Sequence, residues 1–251
     1  MRSLSLAADG TIFTFMMTAL GAAFVFCFKD SISHRANRLC LGFAGGVMSA
    51  AAVFSLLLPA AEQTSAAGGS AVWVTAAGFM FGAGLMAALD LLLERAMRGD
   101  EGGRRRLLLI SAVTLHNIPE GMAVGLSFAL AAQGNAAALA GACALALGVG
   151  VQNVPEGAAI SLPLRQSGVS RMKSFGLGAL SGVVEPIAGV LAALFVSAAA
   201  QMLPALMCAS AGAMMWVVFG EMLPEAGQRR DGALAAVIGY VLMMALDIGL
   251  G

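Results

Sequence analysis

Charged residues are scarce in this chain: Asp, Glu, Lys and Arg make up 11% of its 251 residues, and the formal net charge is zero. So sparse and balanced a charge indicates neither nucleic-acid binding nor an acidic or basic tail. Hydrophobic residues make up 59% of the chain, and the mean hydropathy is +0.88. These values predict an integral membrane protein, with the lipid bilayer and its contents as the partners.

Cysteine is also rare, with four residues: Cys27, Cys40, Cys143 and Cys208. They have no CxxC or His/Cys spacing, which favours small buried side chains over a disulfide framework or a thiolate metal site. No cleavable signal peptide is evident, because the start MRSLSLAADG is mixed in character and the first long apolar run follows it. We expect that run to remain as a membrane helix.

Long apolar runs are abundant, and a run of about 20 residues spans a bilayer as a helix. The short connections between the runs predict one transmembrane domain over residues 1–251, of all-α fold class. Glycine pairs four residues apart, such as Gly42/Gly46, Gly78/Gly82, Gly121/Gly125 and Gly178/Gly182, predict close packing between the helices. The eight predicted spans are Thr11–Phe28, Leu39–Ala61, Ala71–Leu93, Leu107–Ala131, Ala136–Leu164, Phe175–Ala199, Leu203–Leu223 and Ala233–Leu250.

Basic residues lie almost entirely in alternate loops of this arrangement. Thirteen of the fourteen Lys and Arg residues fall between spans one and two, three and four, five and six, or seven and eight, and Arg2 is the exception. Lys and Arg accumulate on the cytoplasmic side of membrane proteins. These loops are therefore predicted to be cytoplasmic, and both termini extracytoplasmic.

Two near-repeats place polar residues inside spans four and five: HNIPEG at 116–121 and QNVPEG at 152–157. Side chains four apart share one helix face. Because the two spans run in opposite directions, His116 is predicted level with Glu156, and Glu120 level with Gln152. All lie roughly 12 to 20 Å from the cytoplasmic helix ends, by the helical rise per residue.

Each of these motifs also contains a proline, and a third follows Glu185 in GVVEP of span six. A proline kinks a helix and frees the carbonyl four residues back. Broken helices at membrane depth line cavities, where freed carbonyls help to bind cations. We therefore expect Pro-kinked helices four, five and six around one site, with Glu185 as a third carboxylate.

Clustered carboxylates in a dry interior need cations or protons to balance them. Imidazole, carboxylate and amide donors without a thiolate suit a divalent transition metal, whereas an all-oxygen cage would suit magnesium or calcium. Asn117 and Asn153, next to the first polar residue of each motif, offer further oxygen donors. The sequence thus predicts a mid-membrane site for a metal such as zinc, iron, manganese, cobalt or cadmium.

Four further acids lie nearer the ends of the spans. Glu62 and Asp247, near the outer ends of spans two and eight, are candidates for an entrance that attracts cations. Asp90 and Glu221, near the cytoplasmic ends of spans three and seven, are candidates for an exit. Solvated helix ends are the alternative interpretation of the exit pair.

With eight spans, outside termini, HNIPEG, QNVPEG and GVVEP, the chain resembles the ZIP (Zrt/Irt-like) divalent metal transporters, in particular the bacterial branch that includes GufA and ZupT. The resemblance covers essentially the whole chain. It implies import of zinc and related metals towards the cytoplasm across a bacterial inner membrane, with the metal as transported substrate and no cofactor.

The resemblance also implies a residue-by-residue site. One metal would be held by His116, Glu120, Gln152 and Glu156. A second would be held by Asn117, Asn153 and Glu185, with Glu120 and Glu156 as bridges. Some relatives have an acid at the position of Asn153, so the second site here carries one charge fewer.

An intramembrane metal-dependent hydrolase is the alternative, because His and Glu at helical spacing can also hold a catalytic zinc. Against it, the chain has no HExxH, and the duplicated motif surrounds the ion with ligands instead of leaving a position for water. The sequence leaves open the physiological metal, the number bound, ion coupling, channel or carrier, rocking or elevator motion, and whether the protein forms a homodimer.

Overall fold

The computed structural model describes residues 2–27, 33–132 and 136–250, and within these ranges the chain is helical without any strand. In these ranges eight helices are long and apolar enough to cross a membrane, which confirms the predicted number of spans. Phe28, the predicted end of the first span, and the basic loop residue Lys29 lie outside the described residues. We number the spans α1 (Arg2–Cys27), α2 (His34–Ala66), α3 (Ala71–Ala96), α4 (Glu101–Ala131), α5 (Ala136–Gln166), α6 (Arg171–Leu194), α7 (Val196–Ala226) and α8 (Arg230–Leu250).

Several helices begin well before their apolar runs, because a polar capping residue starts them. Ser33, Asp100 and Ser170 each accept a hydrogen bond from the backbone N–H three residues on. Such caps satisfy amide groups that the first turn leaves free. As a result, α4 begins at Glu101 instead of the predicted Leu107, and α6 at Arg171 instead of Phe175.

The three motif prolines have different effects on the backbone. Helices α4 and α5 continue through Pro119 and Pro155. Helix α6 consists of two parts, Arg171–Gly182 and Val184–Leu194, separated at Val183. Pro186 lies just after this break and cannot donate to the carbonyl of Gly182, which accounts for the interruption.

Two other helices, α2 and α7, contain a wide π-helical turn at Ala52–Leu57 and at Val218–Met222. Leu58 donates its N–H to Val53 and Leu223 donates to Val218, five residues back in each case. A proline follows each turn, and the extra residue relieves the missing donor and the ring clash. The two segments, VFSLLLP at 53–59 and VFGEMLP at 218–224, share the pattern VFxxxLP.

Glycines allow the helices to pack at close range in pairs: α2 with α8, α3 with α7, α1 with α5, and α4 with the second part of α6. A Cβ atom at Gly42 or Gly46 would overlap the backbone of α8, one at Gly82 that of α7, and one at Gly121 or Gly125 that of α6. Lipid offers no hydrophobic force between helices, so their association depends on such close contact. The predicted packing role of these glycines is confirmed.

The spans differ in how far they are buried. Helices α2, α4 and α7 bury most of their surfaces inside the bundle, whereas α3 and α8 present most of theirs outwards. The outward faces are apolar, with large exposed side chains such as Trp73, Phe81 and Ile238. The polar mid-membrane residues of α4 and α5 therefore face the interior of the bundle, away from lipid.

The described loops permit a direct test of the orientation. Ala67, between α2 and α3, and Gly102, at the start of α4, are both exposed, and a side chain at Gly102 has room. In a cysteine-free variant, Ala67→Cys should react with an impermeant maleimide added to intact cells. Gly102→Cys should react only after permeabilisation. The reverse labelling would place the basic loops outside and invert the topology.

Candidate metal centre

Four polar side chains from α4 and α5 meet at one point inside the bundle. His116 Nε2 lies 3.0 Å from Glu120 Oε1 and 3.1 Å from Glu156 Oε1. Gln152 Nε2 lies 2.6 Å from Glu120 Oε1, 3.2 Å from Glu156 Oε1 and 3.2 Å from His116 Nε2. The sequence-predicted pairing of two inverted motifs therefore corresponds to a single cluster in the structure.

This cluster has the properties of a cation site. All four side chains are buried, with at most 4% of any residue exposed. One ligand atom from each of His116, Glu120 and Glu156 lies within 4.8 Å of the others. Within the described part of the chain, Glu120 Oε2, Glu156 Oε2 and His116 Nδ1 are buried without a hydrogen-bond partner. Two carboxylates so close together inside a protein require a balancing positive charge, and the imidazole adds a nitrogen donor.

A second group of polar residues lies beside the first, where α5 and α6 meet α1. Glu185 Oε1 accepts a hydrogen bond from Thr18 Oγ1 at 3.0 Å, and Glu185 Oε2 accepts one from Asn153 Nδ2 at 2.9 Å. Glu185 and Asn153 are both buried completely. The predicted third carboxylate is thus held in its own hydrogen-bonded group, with one of its partners in α1.

Backbone carbonyls fix both asparagine amides of the motifs. Asn117 Nδ2 donates to the carbonyl of Ser181 at 3.0 Å, and Asn153 Nδ2 donates to that of Thr14 at 3.2 Å. The Oδ1 atoms of both asparagines are buried and have no hydrogen-bond partner among the residues that the structure describes. Since a backbone carbonyl accepts only from the NH2 end of an amide, the two side-chain oxygens remain as cation donors.

One carbonyl freed by a proline accepts a hydrogen bond from a neighbouring helix. Pro119 frees the carbonyl of Leu115, which accepts a hydrogen bond from Ser210 Oγ of α7 at 2.9 Å. The expectation that freed carbonyls help to bind a cation stays a prediction, since a carbonyl oxygen has a second lone pair. The hydrogen bond from Ser210 joins α4 to α7 beside the cluster and satisfies a buried acceptor.

The candidate entrance acids line a cavity of about 600 Å³ that also contains Glu120 and Gln152 in its wall. Glu62 is exposed at its outer end. Asp247 lies deeper and accepts a hydrogen bond from Ser55 Oγ at 2.8 Å, and the same Ser55 oxygen lies 3.2 Å from Gln152 Oε1. The cavity therefore joins the cluster to the ends of α2 and α8 that lie opposite the basic loops.

The candidate exit acids are in ion pairs. Asp90 pairs with Arg104, at the start of α4. Glu221, in the wide turn of α7, lies 3.4 Å from Arg104 and 3.0 Å from Arg105. The side chains of Asp90, Glu221 and Arg104 are each less than one quarter exposed. Freely solvated carboxylates, the alternative interpretation from the sequence, do not describe these residues.

Several residues at these sites were not identified from the sequence. Thr14 and Thr18 hold Glu185 and Asn153, Ser55 contacts Gln152, and Arg104 pairs with the exit acids. The sequence did contain signals for some of them. Thr14 and Thr18 are spaced along one face of α1, and Ser55 is a polar residue four positions before a proline in an apolar run.

Comparison with known proteins places these features in context. The sequence profile of the family described as "ZIP Zinc transporter" matches residues 98–247. Zinc transporter ZIP11 of Xenopus tropicalis is 35% identical, with 96% of each chain aligned. Zinc transporter GufA of Myxococcus xanthus is 36% identical over 93% of this chain and 94% of its own. Zinc transporter ZIPB of Bordetella bronchiseptica is 36% identical over 94% of this chain and 79% of its own.

The geometry predicts that the two facing carboxylates dominate cation binding. Glu120→Gln or Glu156→Gln keeps the shape of the side chain and removes a buried charge. Each change should weaken binding of Co²⁺ or Zn²⁺ to the purified protein on the order of 100-fold, as for loss of one partner of a buried ion pair. Titration calorimetry measures this, and the exposed Glu94→Gln in α3 is the control.

Both variants should fold, because a neutral amide is cheaper to bury than a carboxylate. Unchanged affinity in Glu120→Gln and Glu156→Gln, together with normal elution on size exclusion, would contradict the assignment of this cluster as the cation site.

Proposed function

The chain belongs to the ZIP zinc transporter family, and from that premise we propose that it imports zinc towards the cytoplasm through the cluster of His116, Glu120, Gln152 and Glu156. The observation that carries this proposal is the meeting of one imidazole and two carboxylates, all buried, within 4.8 Å. Iron, manganese, cobalt and cadmium fit the same donors, so related divalent metals are candidate substrates.

The hydrolase alternative has less support. ZIP members are transporters and not enzymes. The cluster also offers four side-chain donors from two helices, whereas a catalytic zinc keeps an open position for water. An ion that is surrounded by protein ligands and reached through a cavity is suited to being carried, with no cofactor required.

We further propose a second metal position formed by Asn117, Asn153 and Glu185, with Glu120 and Glu156 as shared ligands. The partnerless Oδ1 atoms of the two asparagines support it, as does the complete burial of Glu185. Asn153 is neutral, so this position has less negative charge than one with an acid there. We therefore expect it to bind more weakly than the first.

The proposed path runs from Glu62 and Asp247, through the cluster, to Asp90 and Glu221. Its two ends differ: a cavity of about 600 Å³ reaches the cluster from the side of Glu62, while Arg104 pairs with both acids at the other end. This asymmetry supports alternating access, in which one side opens as the other closes.

The protein is an integral membrane protein, as its eight apolar helices and its family require. We place it in the cytoplasmic (inner) membrane of a bacterium, on the basis of its basic loops and its similarity to bacterial relatives. A homodimer stays a prediction, for which the outward apolar face of α3 offers a surface.

Metal selectivity provides the first test of transport. Vesicles containing the purified protein should accumulate Zn²⁺ and Cd²⁺ faster than Mg²⁺ or Ca²⁺, because a site with an imidazole favours the softer ions. Uptake is followed with an indicator dye or a radioisotope, and protein-free vesicles are the control. Equal rates for all four ions would refute the assignment.

The ion-paired acids provide a second test. In zinc uptake, Glu120→Gln and Glu156→Gln should be nearly inactive, because a buried metal loses a ligand that water cannot replace. Asp90→Asn and Glu221→Gln should slow uptake by about fivefold at most, since these partly exposed side chains lie near the helix ends, where ion pairs contribute little. If uptake survives in the Glu120 and Glu156 variants but is lost in the Asp90 and Glu221 variants, the mid-membrane cluster is not the transport site.

A further inference from the structure

The amide of Gln152 has its nitrogen directed into the cluster. Gln152 Nε2 lies 2.6 Å from Glu120 Oε1 and 3.2 Å from Glu156 Oε1, while Gln152 Oε1 points away, 3.2 Å from Ser55 Oγ. An amide oxygen has lone pairs for a metal, but an amide nitrogen offers only protons. Gln152 can therefore serve as a ligand only after its amide makes a half-turn about the last side-chain bond.

Ser55 responds differently to the two orientations of this amide. Its hydroxyl has one proton and two neighbouring acceptors, Asp247 Oδ1 at 2.8 Å and Gln152 Oε1 at 3.2 Å. A carboxylate is the stronger acceptor, and here it is also the nearer one, so it takes the proton. Two oxygens with no proton between them then face each other at 3.2 Å, which is unfavourable.

The turned amide removes that conflict. Gln152 Nε2 would then donate to a lone pair of Ser55 Oγ, while the Ser55 hydroxyl donates to Asp247. The three groups form a chain with one proton in each link, and Gln152 Oε1 faces His116 and the two glutamates. We propose that Ser55 is a positioning residue that, with Asp247 behind it, holds the amide oxygen of Gln152 towards the transported metal.

The backbone conformation around Ser55 does not depend on its hydroxyl, which supports a functional role for this side chain. Ser55 lies in the wide turn of α2, and such turns are frequent at functional sites. In the matching segment VFGEMLP of α7, the equivalent position is Gly220, and the wide turn forms there as well. The turn therefore does not require a hydroxyl at this position.

This inference rests on the proposed function, because it concerns how the same cluster binds its substrate. Mutation of a residue that orients a metal ligand typically lowers the metal affinity 10- to 100-fold. Ser55→Ala removes the acceptor for Gln152 Nε2 and should weaken Zn²⁺ binding by roughly tenfold. Ser55→Thr keeps the hydroxyl and should restore most of the affinity.

The decisive measurement is Ser55→Ala in a Gln152→Glu background. A carboxylate presents equivalent oxygens to the metal and needs no orientation. In that background Ser55→Ala should change Zn²⁺ affinity by less than about twofold, the usual scatter for independent sites. Affinity is measured on purified protein by competition with a fluorescent chelator. Ser49→Ala, on the same helix with its hydroxyl bonded to the carbonyl of Gly45, is the matched control.

Each outcome decides the matter. A tenfold loss in the native background that disappears with Gln152→Glu supports the proposal. An equal loss in both backgrounds would show that Ser55 binds the metal itself or only supports packing, and no loss in either would show that it has no role; both results overturn it. If the wild-type protein binds Zn²⁺ but vesicles do not accumulate it, the proposed transport function is wrong. The affinities of the Ser55 variants still test the positioning role in that case. Absence of Zn²⁺ binding by the wild type would refute both.

Discussion

Glu120 and Glu156 are buried carboxylates that face each other. The need to balance their negative charge is the constraint on which the rest of the structure depends. Each carboxylate is expensive to place inside a membrane protein, and together they repel. A divalent cation removes both costs at once, since it is attracted to both groups in a low-dielectric interior. The imidazole of His116 and the amide of Gln152 lie against both carboxylates, and in the proposed site protein ligands would replace water ligands of the ion.

Positioning these groups requires helices that approach closely and yet contain irregular turns. Glycines at the helix crossings bring α4 against α6, where Gly121 lies against the backbone of Glu185. The side chain of Glu185 in turn accepts a hydrogen bond from Asn153 of α5. A proline also leaves a backbone carbonyl without its helical donor, and at Leu115 the hydroxyl of Ser210 donates to that carbonyl instead. The tendency of buried polar groups to find partners thus links the packing of the bundle to the site, where the atoms left without one are candidates to bind a cation.

The two sides of the site differ in the way a transporter requires. On one side a cavity with the carboxylates of Glu62 and Asp247 reaches the cluster, and it presents negative charge to an arriving cation. On the other side Arg104 is paired with Asp90 and Glu221, so both carboxylates already have a cationic partner. On the proposed path, an ion that leaves by this side would require those pairs to separate.

The sequence by itself determined the number of spans, the pairing of the two inverted motifs and the chemical class of the site. These follow from local rules: apolar length, helical periodicity, and the cost of burying His116, Glu120 and Glu156 without a counter-charge. Only the tertiary structure decided which polar groups support the ligands. Thr18, Ser55 and Arg104 reach their partners from other helices, 167, 97 and 14 residues away along the chain. No periodicity within one helix encodes such contacts, because they depend on how helices cross and on where a proline widens a turn.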